Sequence, residues 1–115
     1  MIHANCKNLP LSPVQVEGAS GVGIHWVISE KSGAPNFALR LFEVQPEGHT
    51  PRHSHDWEHE VYIRKGSGRL YFDGKERPIE EGDILFIPGG QEHQFLNDGP
   101  ENLEFLCMIP NNADY

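Results

Sequence analysis

The sequence predicts an all-β fold, either a sandwich or a barrel, from three observations. Short runs of branched and aromatic residues recur along the chain, and they are separated by turns rich in glycine and proline, with 12 and 9 of these in 115 residues. No apolar i, i+3, i+4 pattern lasts for three helical turns, so no substantial helix is expected. Many short strands at close spacing are typical of sandwiches and barrels, including the jelly roll. The length fits one domain with a single hydrophobic core, spanning 1–115.

Eight strands are predicted after an irregular start. In chain order they span 22–29, 36–44, 60–65, 69–73, 76–80, 84–88, 93–96 and 102–109. The dipeptide Asp73-Gly74 lies between two of these runs and predicts a hairpin turn. Residues 1–20 are polar, and we expect them to form a short leading strand or an arm that covers a sheet edge. We therefore predict a homodimer in which this N-terminal arm or the 22–29 strand pairs with the partner's sheet.

Composition excludes several classes of partner. With 17 acidic and 9 basic residues the formal net charge is −8, which argues against binding nucleic acid or an anionic membrane surface. No run approaches the roughly 18 apolar residues of a membrane span, and the first residues lack the features of an export signal. Cys6 and Cys107 are too few for a disulfide framework and have no metal-ligand spacing. These features predict a cytoplasmic protein.

Three of the seven histidines lie within the stretch HSHDWEHE, 53–60. His53 and His55 share one strand face because strand side chains alternate with a period of two, and His59 returns to that face after a kink. Convergent imidazoles repel one another once protonated, so this cluster indicates a cation, and neutral imidazole is the commonest metal ligand. Outside the motifs, the following histidines are expected to be ordinary surface or core residues: His3, His25 and His49.

The C-terminal half contains a second motif. The arrangement G-x5-P-x-G-x2-H-x3-N is formed by Gly82, Pro88, Gly90, His93 and Asn97. It resembles the second motif of the cupin superfamily, position for position. We expect Asn97 to stabilise the following turn and not to bind a metal.

The upstream stretch GHTPRHSHDWEHEVYIRKG resembles the first cupin motif, G-x5-H-x-H-x3,4-E-x6-G. It departs from that motif at Gly48, which is one residue too close to the first histidine, and at the glutamate position, where His59 stands. Glu60 is the alternative, but it leaves five residues before Gly66 where the motif has six. Alternation along the strand favours His59, because its face then carries the apolar side chains and the face of Glu60 carries the polar ones.

A narrower group of cupins shares more of these features. The patterns H-x-H-x3-H and H-x-F-x-N resemble small single-domain cupins, of the cupin 2 type, that bind manganese through four histidines. The resemblance covers 34–110 and implies a double-stranded β-helix, a jelly-roll barrel. It also implies one divalent transition metal per chain, with manganese or iron expected first and nickel, zinc or copper as alternatives. The implied ligands are His53, His55, His59 and His93.

Several residues are candidate walls of a substrate pocket. Phe105 and Cys107 share a strand face that the resemblance places inside the barrel, and Phe95 shares the face of His93. Simple core packing is the alternative for the aromatic residues, and a small buried apolar role is the alternative for the cysteine. Trp57 either rims the entrance or anchors the loop. Arg40 is a candidate anion handle, as is Arg52, although exposed ion pairs are the commoner role for such residues.

An apolar pocket above a metal predicts a small, mainly apolar organic substrate. The resemblance implies, as the leading interpretation, a metal-dependent oxidoreductase of the dioxygenase type. Four neutral imidazoles leave the charge of a divalent ion uncompensated, so the site should favour anionic or enolate-like ligands and resist oxidation of the metal. Two alternatives stay open: a non-redox isomerase, lyase or decarboxylase, and a non-enzymatic small-molecule-binding module.

Overall fold

The computed structural model describes residues 1–111 and 113 and confirms the all-β prediction. Two 3-10 turns, Cys6–Asn8 and Glu30–Ser32, are its helical elements. None of the helices among the described residues is long and apolar enough to cross a membrane. The strands are β1 (Ser12–Pro13), β2 (Ser20–Ile28), β3 (Phe37–His49), β4 (His59–Lys65), β5 (Ser67–Phe72), β6 (Lys75–Glu80), β7 (Ile84–Ile87), β8 (His93–Leu96) and β9 (Leu103–Pro110).

The strands form one curled antiparallel sheet, and the jelly-roll barrel expected from the sequence is confirmed. One half runs in the order β2-β3-β9-β4-β7, and the other half contains β8, β5 and β6. The long strand β3 belongs to both halves, because its end pairs with β8 at His49 and Leu96. Every strand pair is antiparallel.

Strand β3 extends further than the sequence predicted, since the prediction ended it at 44. The segment PEGH was interpreted as a turn. In the structure the backbone bends at Glu47, whose φ is 69°, and pairing resumes at His49. Gly48 permits the bend, because a Cβ there would lie 2.6 Å from the carbonyl oxygen of Ser20.

Alternation along the strands separates the barrel interior from its outside, as predicted. On β4, His59, Val61 and Ile63 are buried, whereas Glu60 and Tyr62 are exposed. On β9 the buried set is Leu103, Phe105, Cys107 and Ile109. The ring of Phe105 stacks on two others inside the barrel, Phe95 at 4.2 Å and Phe42 at 5.2 Å between centroids.

Two of the predicted turns have the expected local structure. Asp73 and Gly74 connect β5 to β6 with φ values of 47° and 89°, which is the left-handed pair that a tight hairpin requires. Asn97 is buried, and its side chain donates to the carbonyls of Val44 and Glu101 and accepts from the backbone of Gly99. It therefore holds the end of β8 to β3 and to the following turn, which confirms its structural role.

The N-terminal residues form a short leading strand. β1 pairs with β2 of the same chain, with Ser12 opposite Ile24 and Pro13 opposite Gly23. Leu11 packs over Gly23, where a Cβ would lie 2.7 Å from the leucine side chain. Part of the edge of β2 is thus covered within the chain.

Candidate metal centre

The two histidine-bearing segments are joined by backbone hydrogen bonds. The amide of His53 donates to the carbonyl of His93 at 3.2 Å, and the amide of His93 donates back at 2.9 Å. A third bond, from the amide of Gly90 to the carbonyl of His55, measures 2.7 Å. Gly89 lets the two loops approach, since a Cβ there would meet the carbonyl oxygen of Asp56 at 2.2 Å.

These contacts bring four imidazole rings together at the barrel mouth. His53, His55 and His93 offer nitrogen atoms that all lie within 4.8 Å of one another. His59, at the start of β4, joins them with its ring centroid 4.6 Å from that of His55 and 5.0 Å from that of His93. The structure therefore brings His59 to the cluster and leaves Glu60 exposed on the other face.

Backbone carbonyls set the orientation of two of these rings. Nδ1 of His55 lies 2.9 Å from the carbonyl oxygen of Trp57, and Nδ1 of His93 lies 2.9 Å from that of Gln91. Because a carbonyl only accepts, each Nδ1 must carry the hydrogen, which leaves the lone pair on Nε2. Trp57 also stacks flat on His55 at 4.0 Å, so it anchors the loop.

The environment keeps the imidazoles neutral. Burial, followed by the nearby charge of Arg40, lowers the pKa of His59 to about 2. The pKa of His53 is lowered to about 4, by partial burial and then by the neighbouring histidines. Burial also lowers the pKa of His55 and of His93. All four therefore have a lone pair to offer near neutral pH.

The donor set fits a divalent transition metal. The three-histidine group contains no carboxylate among the described residues, and imidazole suits iron, nickel, copper and zinc. Nε2 of His59 lies 2.8 Å from Nε2 of His55. Two nitrogens that bind one ion at about 2.0–2.1 Å lie about 3 Å apart when they are neighbours around it.

Arg40, a candidate anion handle, is buried beside this cluster, so the alternative of an exposed ion pair does not apply to it. It points inward from β3, with its Nη2 3.0 Å from Sγ of Cys107 and 3.5 Å from Nδ1 of His59. Its guanidinium carbon lies 4.9 Å from the ring centroid of Phe42. The other candidate anion handle, Arg52, is exposed and lies over the ring of Tyr71.

The candidate pocket residues Phe95, Phe105 and Cys107 are all buried inside the barrel. Sequence reasoning missed two further aromatic neighbours of Arg40: Phe42, and Trp26, whose ring centroid lies 5.9 Å from the guanidinium. Alternation along β3 would have found Phe42, which is two residues beyond Arg40. Trp26 depends on the register in which β2 pairs with β3, and the sequence does not reveal that register.

The remaining histidines lie outside the cluster. His25 contacts the carboxylate of Glu43 at 2.8 Å and the carbonyl of Pro10 at 3.1 Å. Nδ1 of His49 lies 3.3 Å from the carbonyl of Thr50. These are ordinary structural contacts, as expected.

Known proteins resemble this chain in both sequence and structure. The family model of the cupin domain matches residues 40–109. The 1-methylthio-D-xylulose 5-phosphate methylsulfurylase of Rhodospirillum rubrum is 38% identical over 76 residues, which cover 66% of this chain and 49% of that protein. The oxalate-binding protein of Thermotoga maritima is 38% identical over 74 residues, 61% of each protein. The chain thus spans about half the length of the first of these relatives.

Among solved structures, the polyketide cyclase RemF from Streptomyces resistomycificus superimposes with a TM-score of 0.93 and is 32% identical. That match covers 97% of this chain and 80% of the cyclase. A predicted oxalate decarboxylase from Thermotoga maritima superimposes with a TM-score of 0.84 at 26% identity, covering 95% and 98% of the two chains.

The low pKa of His59 predicts that the metal-free protein loses stability as the pH falls below 6.5. In that range the unfolded state binds a proton at this histidine and the folded state does not, so the free energy of unfolding rises with pH. The slope per proton is at most about 1.4 kcal/mol for each pH unit. Urea unfolding of the metal-free protein between pH 6.5 and 5 should show a smaller slope for His59→Gln than for the parent. His3→Gln, at an exposed position, is the control, and equal slopes for parent and His59→Gln would contradict the prediction.

Proposed function

Because the chain belongs to the cupin family, we propose that it is a metal-dependent enzyme with a mononuclear site for one divalent transition metal. The ligands are His53, His55, His59 and His93. The observation that carries the proposal is the convergence of four neutral imidazoles, two of which have their Nε2 lone pairs fixed by backbone carbonyls. Manganese and iron are the first candidates, and nickel, zinc and copper also suit imidazole.

The charges around the site favour a substrate that binds as an anion. The imidazoles are neutral, so they leave the ion's charge uncompensated, and the buried guanidinium of Arg40 adds a further positive charge beside His59. Aromatic side chains form part of the apolar interior, with Phe42 and Phe95 both stacked on Phe105. These features suit a small, mainly apolar carbonyl compound bound as its enolate.

Non-redox chemistry suits this arrangement best. When bound, the metal supplies a Lewis acid that polarises a carbonyl group. The neutral ligands and the cation of Arg40 both disfavour a further positive charge at the site, so they oppose oxidation of the ion. The likeness to a polyketide cyclase supports a reaction at an enolised carbonyl.

Two other functions have support. The dioxygenase expected from the sequence fits the apolar interior, but the charge distribution works against the change in metal oxidation state that such a reaction uses. A module that only binds a small anion is supported by the likeness to an oxalate-binding protein. Dioxygen uptake in the presence of a diketone separates the dioxygenase from the proposed function.

Metal content is the first test. Elemental analysis of the protein purified without added metal should find about one divalent transition metal per chain. His53→Ala combined with His93→Ala should lose it, because two of the four proposed ligands are removed. The matched control is His3→Ala combined with His49→Ala, which should retain the metal. Full metal content in the first pair would exclude the assigned site.

Reaction class is the second test. The metal-loaded protein should bind a small 1,3-diketone as its enolate, seen as a shift in ultraviolet absorbance, without consuming dioxygen. Arg40→Met should weaken this binding by about tenfold or more, because a buried charge-assisted contact is lost. Arg52→Met is the matched control and should bind as the parent does. Dioxygen uptake in proportion to the diketone consumed would favour the dioxygenase instead.

We also propose that the protein is a homodimer formed through the outer face of one half of the barrel. In the register of the strands, Leu39, Met108, Glu60 and Phe86 form one row across β3, β9, β4 and β7. Leu106, Tyr62 and Ile84 form the neighbouring row. We call these two rows the outer apolar face, and Glu60 is the charged residue within them.

The size of the outer apolar face fits a second copy of the chain. Ile84 is 80% exposed and Phe86 is 61% exposed. Side chains of this size offer roughly 150–250 Å² when fully exposed, so the exposed part of the face is on the order of 500 Å². A standard interface buries about 800 Å² on each partner. The face supplies more than half of that area, whereas the edge of β2 that the sequence suggested is partly covered by β1.

Sedimentation at micromolar concentration should give twice the chain mass of 13.0 kDa. Ile84→Asp combined with Phe86→Asp should give the monomer, because four charges would be buried in the dimer. Val16→Asp, at an exposed position of the N-terminal arm, should remain dimeric. A dimeric double variant together with a monomeric Val16→Asp variant would place the contact at the N-terminal arm. A monomeric parent would exclude the dimer.

A further inference from the structure

One histidine of the cluster is oriented by side chains. Nδ1 of His59 lies 3.0 Å from Sγ of Cys107 and 3.5 Å from Nη2 of Arg40. Arg40 in turn donates from Nη2 to the same sulfur at 3.0 Å. All three side chains are buried, with Cys107 only 2% exposed.

The hydrogen-bonding capacities of these groups determine which arrangement permits metal binding. For Nε2 of His59 to offer its lone pair to an ion, the ring hydrogen must be on Nδ1, and that hydrogen needs an acceptor. Arg40 has donors only, so it cannot accept. Of these two neighbours, only the sulfur of Cys107 can.

We propose that Cys107 is a positioning residue for the metal centre, which accepts the Nδ1–H of His59 and so keeps Nε2 of that ring available to the ion. This inference rests on the proposed metal-binding function. Arg40 fixes the sulfur by donating to it, and the aromatic face of Phe42 lies against the guanidinium. In this role the cysteine acts through His59 and is not itself a ligand of the ion.

Metal binding then requires a change of tautomer at His59. With Nε2 lying 2.8 Å from Nε2 of His55, whose hydrogen is on Nδ1, the metal-free ring places its hydrogen on Nε2 and donates it to His55. With both lone pairs bound to an ion, that hydrogen would lie on Nδ1 of His59, and Nδ1 would donate it to the sulfur. The S–H hydrogen turns away at the same time, so the cluster neither gains nor loses a proton in this step.

The matched pair Cys107→Ser and Cys107→Ala tests the inference, because the two side chains differ by a single oxygen atom. Competition with a chelator should show metal binding about 10- to 100-fold weaker in Cys107→Ala, the usual effect of removing a group that orients a ligand. Cys107→Ser should keep most of the parent's affinity for the metal. Ile109→Val, on the same buried strand face, controls for loss of packing volume and should bind metal as the parent does.

A spectroscopic measurement separates orientation from packing. In the zinc-loaded protein, 15N shifts of the His59 ring should show hydrogen on Nδ1 for the parent and for Cys107→Ser, and altered or averaged shifts for Cys107→Ala. Equal affinity and equal shifts in the alanine and serine variants would overturn the role of Cys107 while leaving the metal centre in place. A parent protein that binds no metal would overturn the proposed metal centre, and this role with it.

Discussion

The reciprocal backbone hydrogen bonds between His53 and His93 are the constraint on which the candidate site depends. They join a loop from the first half of the chain to the first residue of β8, which is 40 positions further along the sequence. The ring centroids of these two distant residues lie 5.0 Å apart because the backbone hydrogen bonds fix the segments that carry them. The PGGQ turn also helps to hold the two loops together, because Gly89 leaves room for the backbone of Asp56 to pack against the turn.

Burial and fixed charge then give the cluster its chemical character. The imidazoles are held neutral, so they can bind a cation without first losing protons, and the positive charge of Arg40 lies next to them. A guanidinium beside a cation site would be unfavourable without an acceptor between the two. The sulfur of Cys107 lies in that position, in contact with both Arg40 and His59. In the proposed metal centre, the sulfur would accept from both cationic Arg40 and the ring of His59, and the positive charges would favour an anionic substrate.

Most of the fold could be predicted because it depends on local patterns, and the four histidines could be predicted because their spacing resembles the cupin motifs. Alternation with a period of two placed His59 on the inner face of β4 and Glu60 on the outer face, and turn residues marked the strand ends. Contacts that depend on the register between strands could not be predicted in this way. Trp26 reaches Arg40 only because β2 pairs with β3 in one particular register, and the burial of Arg40 follows from its place between β2 and β9. The extension of β3 past Glu47 also required a non-local partner, since β8 supplies the pairing at His49.

The alternation of β4 and β9 also connects the metal centre to the proposed dimer contact. On β9, Cys107 points toward His59 inside the barrel, and Met108, the next residue, points into the outer apolar face. On β4, His59 and Glu60 are related in the same way. The two strands are paired directly, Glu60 with Met108 and Val61 with Cys107. A contact that holds the outer side chains in place therefore also holds the backbone from which the inner side chains project. A second copy covering the outer face would therefore restrict the motion of the strands that position His59 and its sulfur acceptor. In the proposed dimer, assembly and the orientation of His59 would thus depend on the same pair of strands.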